Sequence, residues 1–241
     1  AIPGIRPGKP TADFINNSLS KISLIGAMFL AFIAIFPIIF RQLTNINISG
    51  TSLSSFVYSG KSTQKNSLTT LNVSNCAQMI RLTVNYCSLT ELSFEGCNAL
   101  SEISCTYNSL SSLDLSGCPS LTKLTCNNNQ PLQSLDLSRN DSIVTVTAND
   151  CSISSVVIND RSAMTSVNLN NNALTAIDFS GCTSMTTCNI ATGNNNLAEI
   201  DLSDCSSLKS FTYTGKSALE SLNVSGCVSL STLSIYKNGL R

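Results

Sequence analysis

Leu121-Thr122-Lys123-Leu124-Thr125-Cys126-Asn127-Asn128-Asn129, then Leu132-Gln133-Ser134-Leu135-Asp136-Leu137-Ser138-Arg139-Asn140, decides the fold. Each stretch opens on an apolar triplet spaced x-x then x, and each ends eight positions later on Asn. The pair recurs upstream as Leu100-x-x-Ile103-x-Cys105-x-x-Asn108 and Leu110-Ser111-Ser112-Leu113-Asp114-Leu115-Ser116-Gly117-Cys118. Working outward, triplets start at Leu68, Met79, Leu89, Leu100, Leu110, Leu121, Leu132, Ile143, Ile153, Met164, Leu174, Met185, Leu197, Leu208, Leu219 and Leu230. Self-similarity at a fixed period marks a solenoid, which buries a core along an axis and presents an extended surface.

The units alternate in two flavours that pair into turns of 21 to 23 residues. Side chains alternate across a strand, so the last two apolar residues of each triplet point inward and the first packs where the chain enters. The residue eight positions after the first turns the corner. Asn suits a corner because its amide bonds the backbone of neighbouring turns. One flavour places Asn108, Asn129, Asn172 and Asn238 there; the other places Cys76, Cys97, Cys118, Cys182, Cys205 and Cys227. Arg161, Gly193 and Lys216 depart from the pattern and predict loosened corners, with one extra residue in the step from Met185 to Leu197.

This pattern resembles the leucine-rich repeat, LxxLxLxxN. Its short form, LxxLxCxxN followed by LDLS, is similar to the cysteine-containing repeats of internalin J-like bacterial surface proteins. The resemblance covers residues 68–241. It implies a mainly β, right-handed parallel solenoid of about eight turns, with two short strands per turn and a binding or adhesion role at the cell surface.

The N-terminal fifth reads differently. Ile22 to Phe40 is 19 residues without a charge, bounded by Lys21 and Arg41. At 1.5 Å per residue it is roughly 28 Å long, about one bilayer core. This predicts a transmembrane α-helix kinked at Pro37. A cleavable signal peptide is the competing reading; the run is longer than a typical h-region, and no small-x-small site follows Phe40. Arg6, Lys9 and Lys21 precede the helix, and only Arg41 follows before Lys61. The positive-inside rule then puts the N-terminus in the cytoplasm and the repeats outside, extracytoplasmic or at the cell surface.

Gly4-Ile5-Arg6-Pro7-Gly8-Lys9-Pro10-Thr11-Ala12, Leu24-Ile25-Gly26-Ala27 within the apolar run, and Gly50-Thr51-Ser52-Leu53 resemble SecY, the channel subunit of bacterial protein translocase. The resemblance covers residues 1–53. It implies that Arg6, Pro7 and Gly8 lie in a cytoplasmic loop that engages the translocase motor or the ribosome. After Leu53 the family continues into an apolar helix, whereas this chain turns polar. One helix cannot form a channel, so transport does not carry over by itself. Residues 54–67 read as a linker or a degenerate first turn. Ala1 is not an initiator Met and no atypical closing repeat is visible at the C-terminal side. The sequence therefore reads as a fragment, a gene fusion or an assembly chimera.

Composition excludes several functions. Net charge is zero, giving no pull toward nucleic acid. There is no histidine to serve as a general base, so an enzyme is not expected. The eleven cysteines contain no CxxC pair, so no metal or other cofactor is expected. Small buried thiols are expected, because parallel strands hold neighbouring Cβ atoms slightly too far apart for a bridge. Asp114, Asp136, Asp178 and Asp201 recur once per turn, but Val157 interrupts them and they read as a solvated row rather than a calcium site.

The candidate ligand face is the outward row of the Asn flavour, which the family presents as its concave sheet. Its candidate residues are Arg81, Asn85, Glu102, Thr106, Lys123, Asn127, Asn149, Asn170 and Tyr236. A protein or glycan ligand would bind here through hydroxyls and amides. Thr and Asn kept for strand propensity and solubility are the competing reading of the same row.

Overall fold

Three-residue strands with one buried centre repeat along the chain. The computed structural model describes residues 43–63, 66–190, 192–194, 197–215 and 219–236. The apolar run 22–40, the loop holding Arg6, Pro7 and Gly8, and corner residues Lys216 and Asn238 lie outside the described residues. Among the described residues no helix is long and apolar enough to cross a membrane.

The strands fall into two rows. The Asn-flavour row comprises β2 (Ser55–Val57), β4 (Arg81–Thr83), β6 (Glu102–Ser104), β7 (Lys123–Thr125), β9 (Thr145–Thr147), β11 (Ser166–Asn168), β13 (Thr187–Asn189), β15 (Ser210–Tyr213) and β17 (Thr232–Ile235). The second row comprises β1 (Asn45–Asn47), β3 (Thr70–Asn72), β5 (Glu91–Ser93), β8 (Ser134–Asp136), β10 (Ser155–Val157), β12 (Ala176–Asp178), β14 (Glu199–Asp201) and β16 (Ser221–Asn223). Pairing is parallel and in register one coil apart, as in Arg81↔Glu102↔Lys123 and Leu82↔Ile103↔Leu124. β2 to β13 form one seven-stranded sheet, and β15 pairs β17 beyond it. The second row is broken at Leu113, which lies in no strand, and again between β10 and β12.

In most units all three apolar positions are buried, as Leu121, Leu124 and Cys126 show, whereas Leu233 and Ile235 of the last described strand are exposed. The core is therefore a stack of inward columns, one side chain deep. At about 4.8 Å per coil, the eight coils from Leu68 onward rise roughly 40 Å.

The ladder also runs upstream of Leu68. Leu43-x-x-Ile46-x-Ile48 and Leu53-x-x-Phe56-x-Tyr58 are triplets of the same form. β1 pairs β3 and β2 pairs β4, so this first coil stacks on the rest, with Ile46, Ile48, Phe56 and Tyr58 in the core.

Candidate functional site

The corners hold the coils together through two side-chain ladders. In the Asn flavour, Asn129 donates from Nδ2 to the carbonyls of Cys105 (3.0 Å) and Cys126 (2.8 Å), while its Oδ1 accepts from Leu110 N (3.1 Å). Asn108 and Asn172 repeat the arrangement on Val84 and Ala148 carbonyls and on Leu89 and Ile153 N–H groups. In the other flavour the thiols of Cys76, Cys97, Cys182, Cys205 and Cys227 donate to the strand-exit carbonyl one coil back. Cys76 reaches Ile48 (3.1 Å), Cys97 reaches Val73 (3.1 Å), Cys205 reaches Phe179 (3.3 Å) and Cys227 reaches Leu202 (2.9 Å).

The step to the next triplet explains the choice of residue. Where a corner is followed three residues later by the next triplet, that triplet's first N–H bonds the corner's own carbonyl, as Leu121 N does on Cys118 O at 3.1 Å. No strong side-chain acceptor is then needed, and a thiol, which donates and accepts only weakly, suffices. Where the step is ten residues, as at Leu89, Leu110, Ile153 and Leu174, the turn is too short for that bond. The entry N–H is then capped by Asn Oδ1 from the next coil. Leu132 follows a longer step and bonds Asn129 O at 2.9 Å. The next corner in that column is accordingly Cys151, whose thiol reaches Cys126 O at 3.5 Å. Asn140 tests the rule from the other side. It sits in the thiol column, donates to Leu115 and Cys118 carbonyls, and leaves its buried Oδ1 without a partner.

Two corners differ from the loosened geometry expected of them. Gly193 is not the corner: the extra residue moves that role to Asn194, which is fully buried and donates to Leu169 O and Ile190 O. Arg161 fills its thiol-column corner with a guanidinium. Nη1 donates to the carbonyls of Leu137 (3.1 Å) and Ser138 (3.0 Å) and meets Asp141 at 2.7 Å. A cation with several donors replaces the single S–H donor, and the corner stays closed.

All eleven cysteines are free; nine are buried, while Cys188 and Cys227 are partly exposed. Burial pushes the thiols of Cys105, Cys118 and Cys205 up to about 12, and those of Cys87 and Cys182 to about 11. The folded state thus holds its protons above the pH at which an unfolded thiol ionises, near 9. Stability is complete below that pH and falls as pH rises toward 11–12, by up to about 1.4 kcal/mol per pH unit for each such thiol. Thermal melts followed by circular dichroism should be flat between pH 6 and 8 and drop steeply from pH 9 to 11. A melting temperature unchanged at pH 10.5 would contradict the buried ladder. At pH 8, iodoacetamide should label few thiols natively and all of them after unfolding.

The LDLS aspartates serve the turns. Each accepts the backbone N–H two residues on: Ser116 on Asp114 (2.9 Å), Ser138 on Asp136 (2.8 Å), Ser180 on Asp178 (2.8 Å) and Ser203 on Asp201 (2.7 Å). Hydrogen bonds from Ser116 and Ser138 hold the Asp114 and Asp136 carboxyls below the usual range. Asn47, Asn72 and Asn223 make the same turn without a charge, so the column selects an acceptor, not an anion. Among the described residues no cluster of three metal-ligating side chains occurs.

Of the nine candidate face residues, the structure brings eight onto the seven-stranded sheet or the turns leaving it, but Thr106 is buried there rather than facing outward. Tyr236 is 57% exposed but lies beyond the break between β13 and β15. Arg81 pairs with its register neighbour Glu102 at 3.2 Å, and Lys123 follows on the next strand. Three of the amides also tie coils together. Asn85 Oδ1 accepts Thr106 N (2.8 Å), Asn127 Oδ1 accepts Asn149 N (3.0 Å) and Asn170 Oδ1 accepts Thr192 N (3.0 Å).

One feature of this face was missed from the sequence. The rings of Tyr86 and Tyr107 stack with centroids 4.4 Å apart and planes 10° apart. Both occupy the seventh position after a triplet start, where the backbone φ is positive. The signal is a column readable by alignment: Tyr86, Tyr107, Asn128, Asp150, Asn171, Gly193. Two surface grooves, of about 640 and 490 Å³, lie on the second row, over β1–β3–β5 and over β10–β12–β14–β16.

Comparison with known proteins finds two kinds of relative. The SecY family model matches residues 1–60. Protein translocase subunit SecY of Pyrenomonas salina is 47% identical over 47 residues, 20% of this chain and 11% of that protein. The subunit of Geobacillus stearothermophilus is 45% identical over 56 residues, 22% of this chain and 57% of that sequence. The chain thus spans less than two thirds of either of these curated relatives. Among solved structures, the functional domain of InlJ from Listeria monocytogenes, described as including a cysteine ladder, superposes with a TM-score of 0.62. The match covers 76% of this chain and 42% of that one, at 20% identity. The N-terminal residues are therefore SecY-like in sequence, and the remainder shares the internalin-like leucine-rich-repeat fold. The SecY match runs on to residue 60 and so overlaps the first coil of the ladder.

Proposed function

We propose that the chain is a non-catalytic leucine-rich-repeat module for binding or adhesion, with its ligand face on the β2–β13 sheet. One observation carries this reading: an unbroken seven-stranded parallel sheet whose outward row is polar except at Val57 and whose inward columns are consumed by packing, with Cys188 alone of its strand centres partly exposed. Such a surface offers area and hydrogen bonding, and no group in it is poised for bond-making chemistry. The internalin-like fold supports the same reading.

In this proposal residues 1–53 are the SecY-like segment, with 22–40 as a membrane anchor, the N-terminus cytoplasmic, and the repeats outside, their first coil already including Leu43 to Leu53. The apolar length and flanking charges of that segment support it. The full chain, expressed in bacterial membranes, should expose its solenoid to protease added outside intact cells. It should also confer adhesion to protein- or glycan-coated surfaces. Protection from external protease would reject the display, and absence of adhesion would reject the binding role.

A second reading is favoured by the SecY match over residues 1–60. Here the N-terminal segment is a piece of the translocation channel joined to an unrelated repeat segment, and Arg6, Pro7 and Gly8 would contact the motor or the ribosome only if that piece is functional. Sequencing the locus across residue 53 separates the two. A continuous read supports the fusion, and separate reads assign the parts to two genes.

A further inference from the structure

We infer that the three coils carrying β4, β6 and β7 form an acidic-oligosaccharide site centred on the stacked Tyr86–Tyr107 pair. The inference deepens the binding-module reading and rests on it.

The first observation is conformational. Tyr86 and Tyr107 adopt φ of 52° and 56°. In the same column the following coils use Asn128, Asp150, Asn171 and Gly193. Asn, Asp and Gly occupy this left-handed region at least cost; a bulky side chain there is strained. Strain of this kind collects at functional sites. Two successive coils therefore give up the favoured residue to place two rings side by side, and Tyr107 remains 37% exposed.

The second observation is the inventory of unused hydrogen-bonding groups on the same three coils, from the strand starts to the rings. Glu102 is engaged by Arg81. Asn85 Oδ1 and Asn127 Oδ1 are engaged by backbone N–H groups. Left on these coils are the donors Asn85 Nδ2, Asn127 Nδ2 and Lys123, which makes no ion pair among the described residues, and beside them the Thr83, Thr125, Tyr86 and Tyr107 hydroxyls, which donate or accept. Donors call for an acceptor-rich ligand, and the lysine calls for a negative charge on it.

Size separates a saccharide from a protein. From the strand start at Arg81 to the ring of Tyr86 is five residues, about 17 Å, and the three strands span about 10 Å. The patch is roughly 200 Å², far below the ~800 Å² per partner of a stable protein interface. The outward strand positions on β9, β11 and β13 add only Thr, Ser and Asn. A few sugar rings fit: their C–H faces pack on aromatic rings, their hydroxyl oxygens accept from the amides, and a carboxylate meets Lys123.

The test uses the full chain in a sugar-free detergent on an array of immobilised oligosaccharides. Uronate- and sialate-bearing members are each paired with a neutral counterpart. The key variant is Y86N/Y107N, which installs the residue that other coils already use in that column. Expected are binding to the carboxylate-bearing sugars, at least a tenfold loss in Y86N/Y107N, and a melting temperature within ~2 °C of the parent. K123Q should reduce binding to the charged sugars and leave the neutral counterparts unchanged. Which acid is held is read from the uronate and sialate arms. The proposal is overturned if the parent binds no oligosaccharide, if Y86N/Y107N binds as well as the parent, or if Y86N/Y107N melts several degrees lower. Adhesion to whole cells, measured in parallel, separates the two levels. If parent and Y86N/Y107N adhere equally, the saccharide site falls and the binding module stands. If neither adheres, the module reading falls as well.

Discussion

Leu135→Asp is expected to unfold the solenoid, whereas Lys123→Asp is expected to leave it folded. Leu135 is the inward centre of β8, 1% exposed and in register with Val156 on β10. Removing a buried leucine costs about 2–5 kcal/mol through lost burial and a residual cavity. A carboxylate in its place has no partner in a core one side chain deep, which adds several kcal/mol more. The sum rivals the whole stability of a typical domain, 5–15 kcal/mol. Lys123 is exposed on β7, and its replacement loses little. An aspartate there would face Glu102 across the ladder, a repulsion worth at most about 1 kcal/mol. Urea unfolding of the two variants reads this directly. Equal destabilisation would show that the inward–outward register is wrong. A Lys123→Asp protein that keeps its midpoint and loses adhesion would place that residue on the ligand face.

The register was legible from Leu68 onward because apolar spacing is dictated by burial, and burial has no alternative in a core so thin. The first coil was legible only as a linker or a degenerate turn over 54–67, although Leu43, Ile46, Ile48, Leu53, Phe56 and Tyr58 carry the same spacing. Two things hid it. The likeness to SecY extends over these residues, and the interval from Leu53 to Leu68 is longer than any other step. The candidate face was legible as a row, because alternate side chains must point outward. The double duty of Asn85, Asn127 and Asn170 was not, because a side chain's bond to the next coil depends on where that coil's N–H falls. The stacked tyrosines were missed for a related reason. Their column is defined by backbone conformation, and aromatic residues are not the usual mark of a left-handed turn.

The corner residues carry the other large expected effect, and it sets two asparagines of the same fold against each other. Asn129→Cys should cost about 2–4 kcal/mol. It orphans the buried Leu110 N–H, which accepts no substitute from a thiol column, and it reduces two carbonyl contacts to one. Asn140→Cys should be neutral within about 1 kcal/mol. There the entry N–H of Leu121 already bonds Cys118 O, and the lost amide contacts are offset by removing a buried oxygen that has no partner. Both sites are fully buried and both change Asn to Cys, so volume and hydrophobicity are matched and only the need for an acceptor differs. Chemical denaturation of the two variants should therefore separate their midpoints clearly, with Asn129→Cys the lower. If they fall together, the choice between Asn and Cys is not set by the step length of the coil. If Asn140→Cys is the more damaging, the acceptor argument is inverted: the ladder would be held chiefly by the amide's donated bonds.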